Sequence, residues 1–180
     1  MRVFIGIALD YDVREYLQSV QNVIKQTAYE GNFTDIDNFH ITLKFVGEIN
    51  PNDLDIIESA LEEALQNTPQ FTIQVGDIGY FKRGRKKLIF VKITKNQTVL
   101  KTIHQKLVNS LKNHEIELLE QKFTPHITIA RQVSFKEFVN ASMPIPMYND
   151  TISVKTVTLF QSSRINGKLK YTPLYHFNLE

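Results

Sequence analysis

The sequence predicts an α+β fold: a bilobal, pseudo-two-fold duplicated domain with antiparallel sheets flanked by helices and a cleft between the lobes. Three observations carry this expectation. Short apolar, β-branched segments recur between stretches with helical periodicity. Several strand pairs are joined by tight turns, which demands antiparallel pairing. A His-Ile-Thr-aliphatic core occurs twice, at His40–Leu43 and at His126–Ile129, in a chain with five histidines.

Each element has a local reason. "RVFIGIAL" (2–9) is an apolar strand, and Asp10 is placed to cap a helix over 12–27 whose Val13, Leu17, Val20 and Ile24 share one face. "FHITLKFV" from Phe39 is the next strand. Asn50 and Pro51 suit the N-cap and first position of a helix with an Ile57, Leu61, Leu65 stripe. "FTIQVGDIGYF" and "KLIFVKIT" read as a hairpin closed through the basic run "FKRGRKK", with Gly84 supplying the turn. A third helix over 98–113 turns Leu100, Ile103, Leu107 and Leu111 inward, and "TPHITIAR" follows as a strand. "SFKEFVNAS" opens with a capping box, Ser134 to Glu137, and reads as a short helix. Pro144 and Pro146 make "MPIPMYND" a connector. Two closing strands, over 152–161 and 170–179, flank a turn at 164–168. No stretch reads as a linker, so residues 1–180 are expected to form one domain of two intertwined lobes. The second lobe borrows its first strand from the central hairpin.

Composition narrows the function classes. The hydrophobic share of 42% and charged share of 22% are those of a globular protein. No run approaches the roughly 18 apolar residues of a membrane helix, and the N-terminus reads as a strand rather than a signal peptide. The absence of cysteine excludes disulfides, thiolate metal sites and cysteine nucleophiles, and favours a cytoplasmic setting. A net charge of +2 is too small for wholesale nucleic-acid coating. Five basic residues in seven at 81–87 are either a solvated loop or a phosphate contact.

Strand alternation puts His40 and Thr42 on one face, with Ile41, Leu43 and Phe45 on the other; the same division separates His126 and Thr128 from Ile127 and Ile129. A single such pair reads as incidental. Two, in matching positions of matching halves, read as one site with imidazoles facing each other across a cleft. Opposed imidazoles suit displacement at phosphorus: one takes a proton from the attacking oxygen and the other gives one to the leaving oxygen, both near the ordinary histidine pKa of about 6.5. Threonine hydroxyls can bind the non-bridging oxygens. No metal is called for, because two imidazoles without a neighbouring carboxylate fall short of a ligand set. His104, His114 and His176 read as structural.

These residues resemble the two-histidine (2H) phosphoesterase superfamily. "FHITLKFVGE" and "FTPHITIAR" are similar to the two motifs of its LigT-like branch, the RNA 2′,3′-cyclic phosphodiesterases, also called 2′-5′ RNA ligases. "GYFKRGRKKLIFVKI" and the closing "VTLFQSSRINGKLKYTPLYHFNL" follow that branch's pattern. The resemblance implies hydrolysis of a cyclic phosphate to a 2′-phosphomonoester, with His40 as proton donor, His126 as proton acceptor, and Thr42 and Thr128 beside them. It places Arg131 at the substrate, where strict alternation would turn it away from His126 unless the strand ends there. Tyr80 and Phe81 are candidates for stacking on a base, and Arg83 and Arg85 for the RNA backbone. It implies no cofactor or metal, and RNA termini or cyclic nucleotides as partners, tRNA fragments among them. No membrane partner and a monomer are expected. Another 2H activity (2′-5′ ligation or cleavage, or a different nucleotide diester) and a non-catalytic RNA-end binding module remain the alternatives.

Overall fold

The computed structural model describes residues 1–135 and 145–180. Its elements in order are β1 (Arg2–Ala8), α1 (Tyr11–Thr27), β2 (Ala28–Phe33), β3 (His40–Glu48), α2 (Leu54–Leu65), β4 (Phe71–Ile73), β5 (Val75–Arg83), β6 (Lys86–Ile93), α3 (Gln97–Asn113), β7 (His126–Phe135), β8 (Ile152–Val154), β9 (Thr156–Ile165) and β10 (Lys168–Asn178). One eight-stranded antiparallel sheet runs β10-β9-β1-β3-β7-β6-β5, with β2 added against β7. A small second sheet pairs β4 with β8.

The expected duplication is written into the spacing. His126 follows His40 by 86 positions (126 minus 40), and α3 follows α1 by the same interval at both ends (97 minus 11, 113 minus 27). β3 and β7 meet antiparallel at one pair, Ile41 opposite Ile127, the central residues of the two motifs. A pseudo-two-fold axis perpendicular to the sheet therefore passes between these isoleucines.

The sheet's two faces differ in chemistry because side chains alternate along each strand. Ile5, Ile7, Ile41, Ile89, Val91 and Ile127 are buried with Val13, Leu17 and Ile24 of α1, Ile57 and Leu61 of α2, and Leu100, Ile103 and Leu107 of α3. Each of these side chains, fully buried, contributes about 1.5–3 kcal/mol. α1 packs on β7 and α3 on β3, so each half's helix covers the other half's histidine strand. The opposite face is left to the histidines.

Several local expectations change. β2, "AYEGNF", lacks an apolar run and follows α1 directly; its partner is the far end of β7. The strand expected over 71–81 divides at Gln74, and that expected over 152–161 divides at Lys155, because each passes from the small sheet to the large one. Asn50 caps a 3₁₀ turn at Pro51–Asp53, accepting from Asn52 N–H, and α2 begins only at Leu54. Asp10 stands at the N-cap of α1 without a side-chain cap bond. Ser134 and Phe135 are strand residues of β7, with Ser134 Oγ donating to Glu30. The rest of that expected helix, Glu137 included, lies outside the described residues.

Candidate active site

The single β3–β7 pairing fixes the site. With Ile41 and Ile127 opposite each other and facing the helices, His40, Thr42, His126 and Thr128 all project from the other face, around the axis. Each imidazole is anchored in the same way. His40 Nδ1 lies 2.7 Å from Asn38 O, and His126 Nδ1 lies 2.6 Å from Thr124 O, in each case the carbonyl two residues back. A carbonyl only accepts, so both Nδ1 atoms carry the proton and both Nε2 atoms hold the lone pair in the neutral ring. Thr42 Oγ1 is 2.8 Å from His40 Nε2, donating to it when the ring is neutral and accepting when it is protonated.

Asn38 is itself held. It is buried at the end of a 3₁₀ turn (Ile36–Asn38), donates Nδ2–H to Leu169 O at 2.8 Å and accepts from Tyr171 N–H at 3.2 Å. The carbonyl that orients His40 is thus tied to β10, 131 residues away in sequence.

Aromatic rings wall both imidazoles. Around His40 stand Phe4 at 4.8 Å and Tyr171 at 4.9 Å, edge-on, with Phe160 stacked on Phe4 at 5.1 Å. Around His126 stand Phe90 at 5.1 Å and Phe81 at 5.5 Å. Phe90 follows Phe4 by the same 86 positions (90 minus 4), so one ring of each wall repeats with the histidines. A cavity of about 160 Å³ opens beside His40, lined by Ala8, Asn38, Phe160 and Tyr171 among others. Burial among these rings holds His40 down to about 4, against the opposing Asn38 hydrogen bond and with help from the Arg131 and His126 charges. Burial, then the Arg131 charge, lowers His126 as well, against the Thr124 bond. Both rings are therefore neutral near pH 7 without substrate.

Arg131 reaches this face by a route that alternation alone does not give. β7 does not end there but continues to Phe135. Ile89 pairs with Ala130 while the next residue, Phe90, pairs with Thr128, so Ile129 is one residue too many and the alternation flips. The guanidinium is close enough to act on His40, His126 and Tyr171 alike. The same bulge occurs in β3, where Ile5 pairs with Lys44 and Gly6 with Thr42, leaving Leu43 over. It brings Phe45 round to ring contact with Phe4 at 5.6 Å, which corrects the expectation that Phe45 belongs to the helix-covered core.

The remaining candidates separate. Phe81 is on the histidine face, packed on Phe90 at 4.5 Å. Tyr80 pairs with Ile89 and turns to the opposite face, under the Lys87 ammonium, so it is not placed to stack on a base at the histidines. Arg83 shares the alternation of Phe81, and Arg85 sits in the exposed turn between β5 and β6. Sequence reasoning missed Phe4, Phe90, Phe160, Tyr171 and Lys92, the cross-strand partner of His126. The aromatic wall was detectable as the one large ring in each of "VFIG" and "LIFV" at the repeat interval. His104, His114 and His176 bond to Leu43 O, Ser110 O and Thr158 Oγ1 and take no part in the pair.

Comparison with known proteins identifies the family. A family profile described as the 2′-5′ RNA ligase superfamily matches residues 11–154. The chain is 30% identical over 131 residues to a Thermotoga maritima protein named RNA 2′,3′-cyclic phosphodiesterase, covering 73% of this chain and 70% of that one. An Escherichia coli K12 protein of the same name is 27% identical over 178 residues, 99% of this chain and 96% of its own. Among solved structures, E. coli LigT complexed with 3′-AMP matches with a TM-score of 0.82 at 27% identity, over 99% of this chain and 97% of that one. A Thermus thermophilus protein, TT0787, matches the fold with a TM-score of 0.83 at 21% identity, over 99% and 98% of the two chains. The chain belongs to the 2′-5′ RNA ligase superfamily, the 2H phosphoesterases.

Proposed function

We propose that this member of the 2′-5′ RNA ligase superfamily hydrolyses the 2′,3′-cyclic phosphate ends of RNA to 2′-phosphates, as a single domain acting by paired-histidine acid–base catalysis. One observation carries the reading: two imidazoles, anchored identically through Nδ1, stand about a pseudo-two-fold axis, with His40 Nε2 against the Thr42 hydroxyl. In the reaction His126 Nε2 takes a proton from water and the water oxygen bonds to phosphorus. The P–O3′ bond breaks, and the 3′ oxygen leaves with the proton of His40 Nε2. Thr42, Thr128 and Arg131 hold the non-bridging oxygens as charge builds on them, while Phe81 stacks on a base and Arg83 and Arg85 meet the backbone. Every proton and charge is handled by side chains.

Before substrate binds, burial and the Arg131 charge keep His126 neutral, as a base must be. His40, at about 4, must regain a proton. The anionic substrate supplies the reason: a unit negative charge at about 4 Å and an effective dielectric constant of about 20 is worth about 4 kcal/mol. That equals about 3 pKa units and returns His40 to the ordinary histidine range. Substrate binding and protonation of the acid are one coupled event.

No helix of the described residues is long and apolar enough to cross a membrane, and we place the enzyme as a cytoplasmic monomer acting on free RNA ends, tRNA fragments among them. The test is incubation with an oligonucleotide ending in a 2′,3′-cyclic phosphate, with and without EDTA. A 2′-phosphate product formed at equal rates is expected. A 3′-phosphate product, loss of turnover in EDTA, or binding without turnover would overturn the reading.

A further inference from the structure

Gln21, in the middle of α1, is buried to 1% exposure, unusual for an amide in the core. Its hydrogen bonds explain the burial. Nε2 donates to Ile129 O at 3.0 Å and to Thr34 O at 2.7 Å, while Oε1 accepts from Gln18 Nε2 at 2.7 Å. Both donors are used, and the acceptor is occupied. Ile129 is the extra residue of the β7 bulge, two positions before Arg131. Thr34 closes β2 against the same strand, its N–H donating to Ile129 O at 3.0 Å and its hydroxyl to Thr128 O at 3.1 Å. The amide therefore pins the bulge and the end of β2 together from the helix side. Beyond Arg131 the strand bends again at Gln132, whose φ is +53° and whose side chain accepts from Asn32.

The other half uses the same device with a different residue. There the extra residue is Leu43, and its carbonyl accepts from His104 Nδ1 at 2.7 Å, from α3. In both halves a helix side chain holds the bulge carbonyl, and in both the residue two positions on is turned onto the histidine face. In the first half it is Phe45, and in the second it is Arg131.

We infer that Gln21 is a positioning residue for Arg131: by holding the Ile129 carbonyl it keeps the bulge that presents the guanidinium to the two histidines. This rests on the role given to Arg131 in the proposed function. Without Gln21 the Ile129 carbonyl keeps Thr34 N–H alone and Thr34 O loses its amide donor, which favours a rearranged ladder; restoring regular alternation at Ile129 would swing Arg131 to the far face.

The test compares Gln21→Met, Arg131→Met and the double variant on a cyclic-phosphate oligonucleotide, reading kcat, KM and the pH dependence of kcat/KM. Arg131→Met is expected to lower kcat/KM about a hundredfold, and Gln21→Met about tenfold. Withdrawal of the positive charge raises both histidine pKa values, so both variants move the pH profile upward. The double variant should match Arg131→Met alone. Should Gln21→Met not fold, Gln21→Asn, too short to reach both carbonyls, carries the same expectation. A folded Gln21 variant with the wild-type pH profile, or one whose effect adds fully to Arg131→Met, overturns this inference. A silent Arg131→Met instead overturns the role given to Arg131 in the reaction.

Discussion

Replacing His40 by glutamine should make the protein less sensitive to acid, and the size of the effect follows from the site. The folded chain holds His40 at about 4 because of burial among Phe4, Phe160 and Tyr171, while an unfolded chain titrates it near 6.5. The folded pKa is depressed, so the unfolded state binds the proton first as pH falls. The stability of the neutral, buried ring is fully present above pH 6.5 and is lost between there and about 4. The difference of about 2.5 units is worth about 3 kcal/mol in full, and about 2 kcal/mol of it is spent by pH 5. Urea unfolding of wild type and His40→Gln at pH 7.5 and pH 5 isolates it, because the other titrating groups are common to both chains. The wild type should lose about 2 kcal/mol more than the variant over this interval, equivalent to a difference of about 4–8 °C in Tm. Any constant cost of losing the Asn38 bond cancels in the pH difference. Equal pH losses would refute the claim that burial keeps this imidazole neutral.

Two further outcomes are expected. Phe81→Ala should raise KM about tenfold, the worth of one base-stacking contact, while Tyr80→Ala should leave KM unchanged because its ring lies on the other face; steady-state kinetics on a dinucleotide cyclic phosphate decide. Gly6→Ala should cost about 1–3 kcal/mol in chemical denaturation, since the added Cβ would stand 2.7 Å from Ile41 O, backbone that cannot move aside without opening the β1–β3 ladder.

Much of this was legible in the sequence, for reasons that also explain the rest. Helices α1 and α3 carry four-residue apolar stripes with few competing signals, and the two His-Ile-Thr motifs are self-announcing because alternation assigns every side chain in them. The tertiary dependence begins one residue beyond each motif. Whether Leu43 or Ile129 is an extra residue depends on the neighbouring strand, so the facing of Phe45 and Arg131 could not be read from β3 or β7 alone. β2 was missed for a related reason. "AYEGNF" has no core face of its own and becomes a strand because β7 offers a free edge beyond β3. Tyr80 and Phe81 are adjacent and chemically similar, and only their register with β6 separates them.

The central claim is that His40 and His126 are two halves of one acid–base pair, and turnover of a 2′,3′-cyclic-phosphate oligonucleotide by His40→Ala and His126→Ala tests it most directly. Each folded variant should lose at least about a hundredfold in kcat, and the double variant should lose little more than either one, since neither imidazole works without the other. Full activity in either single variant would contradict the account.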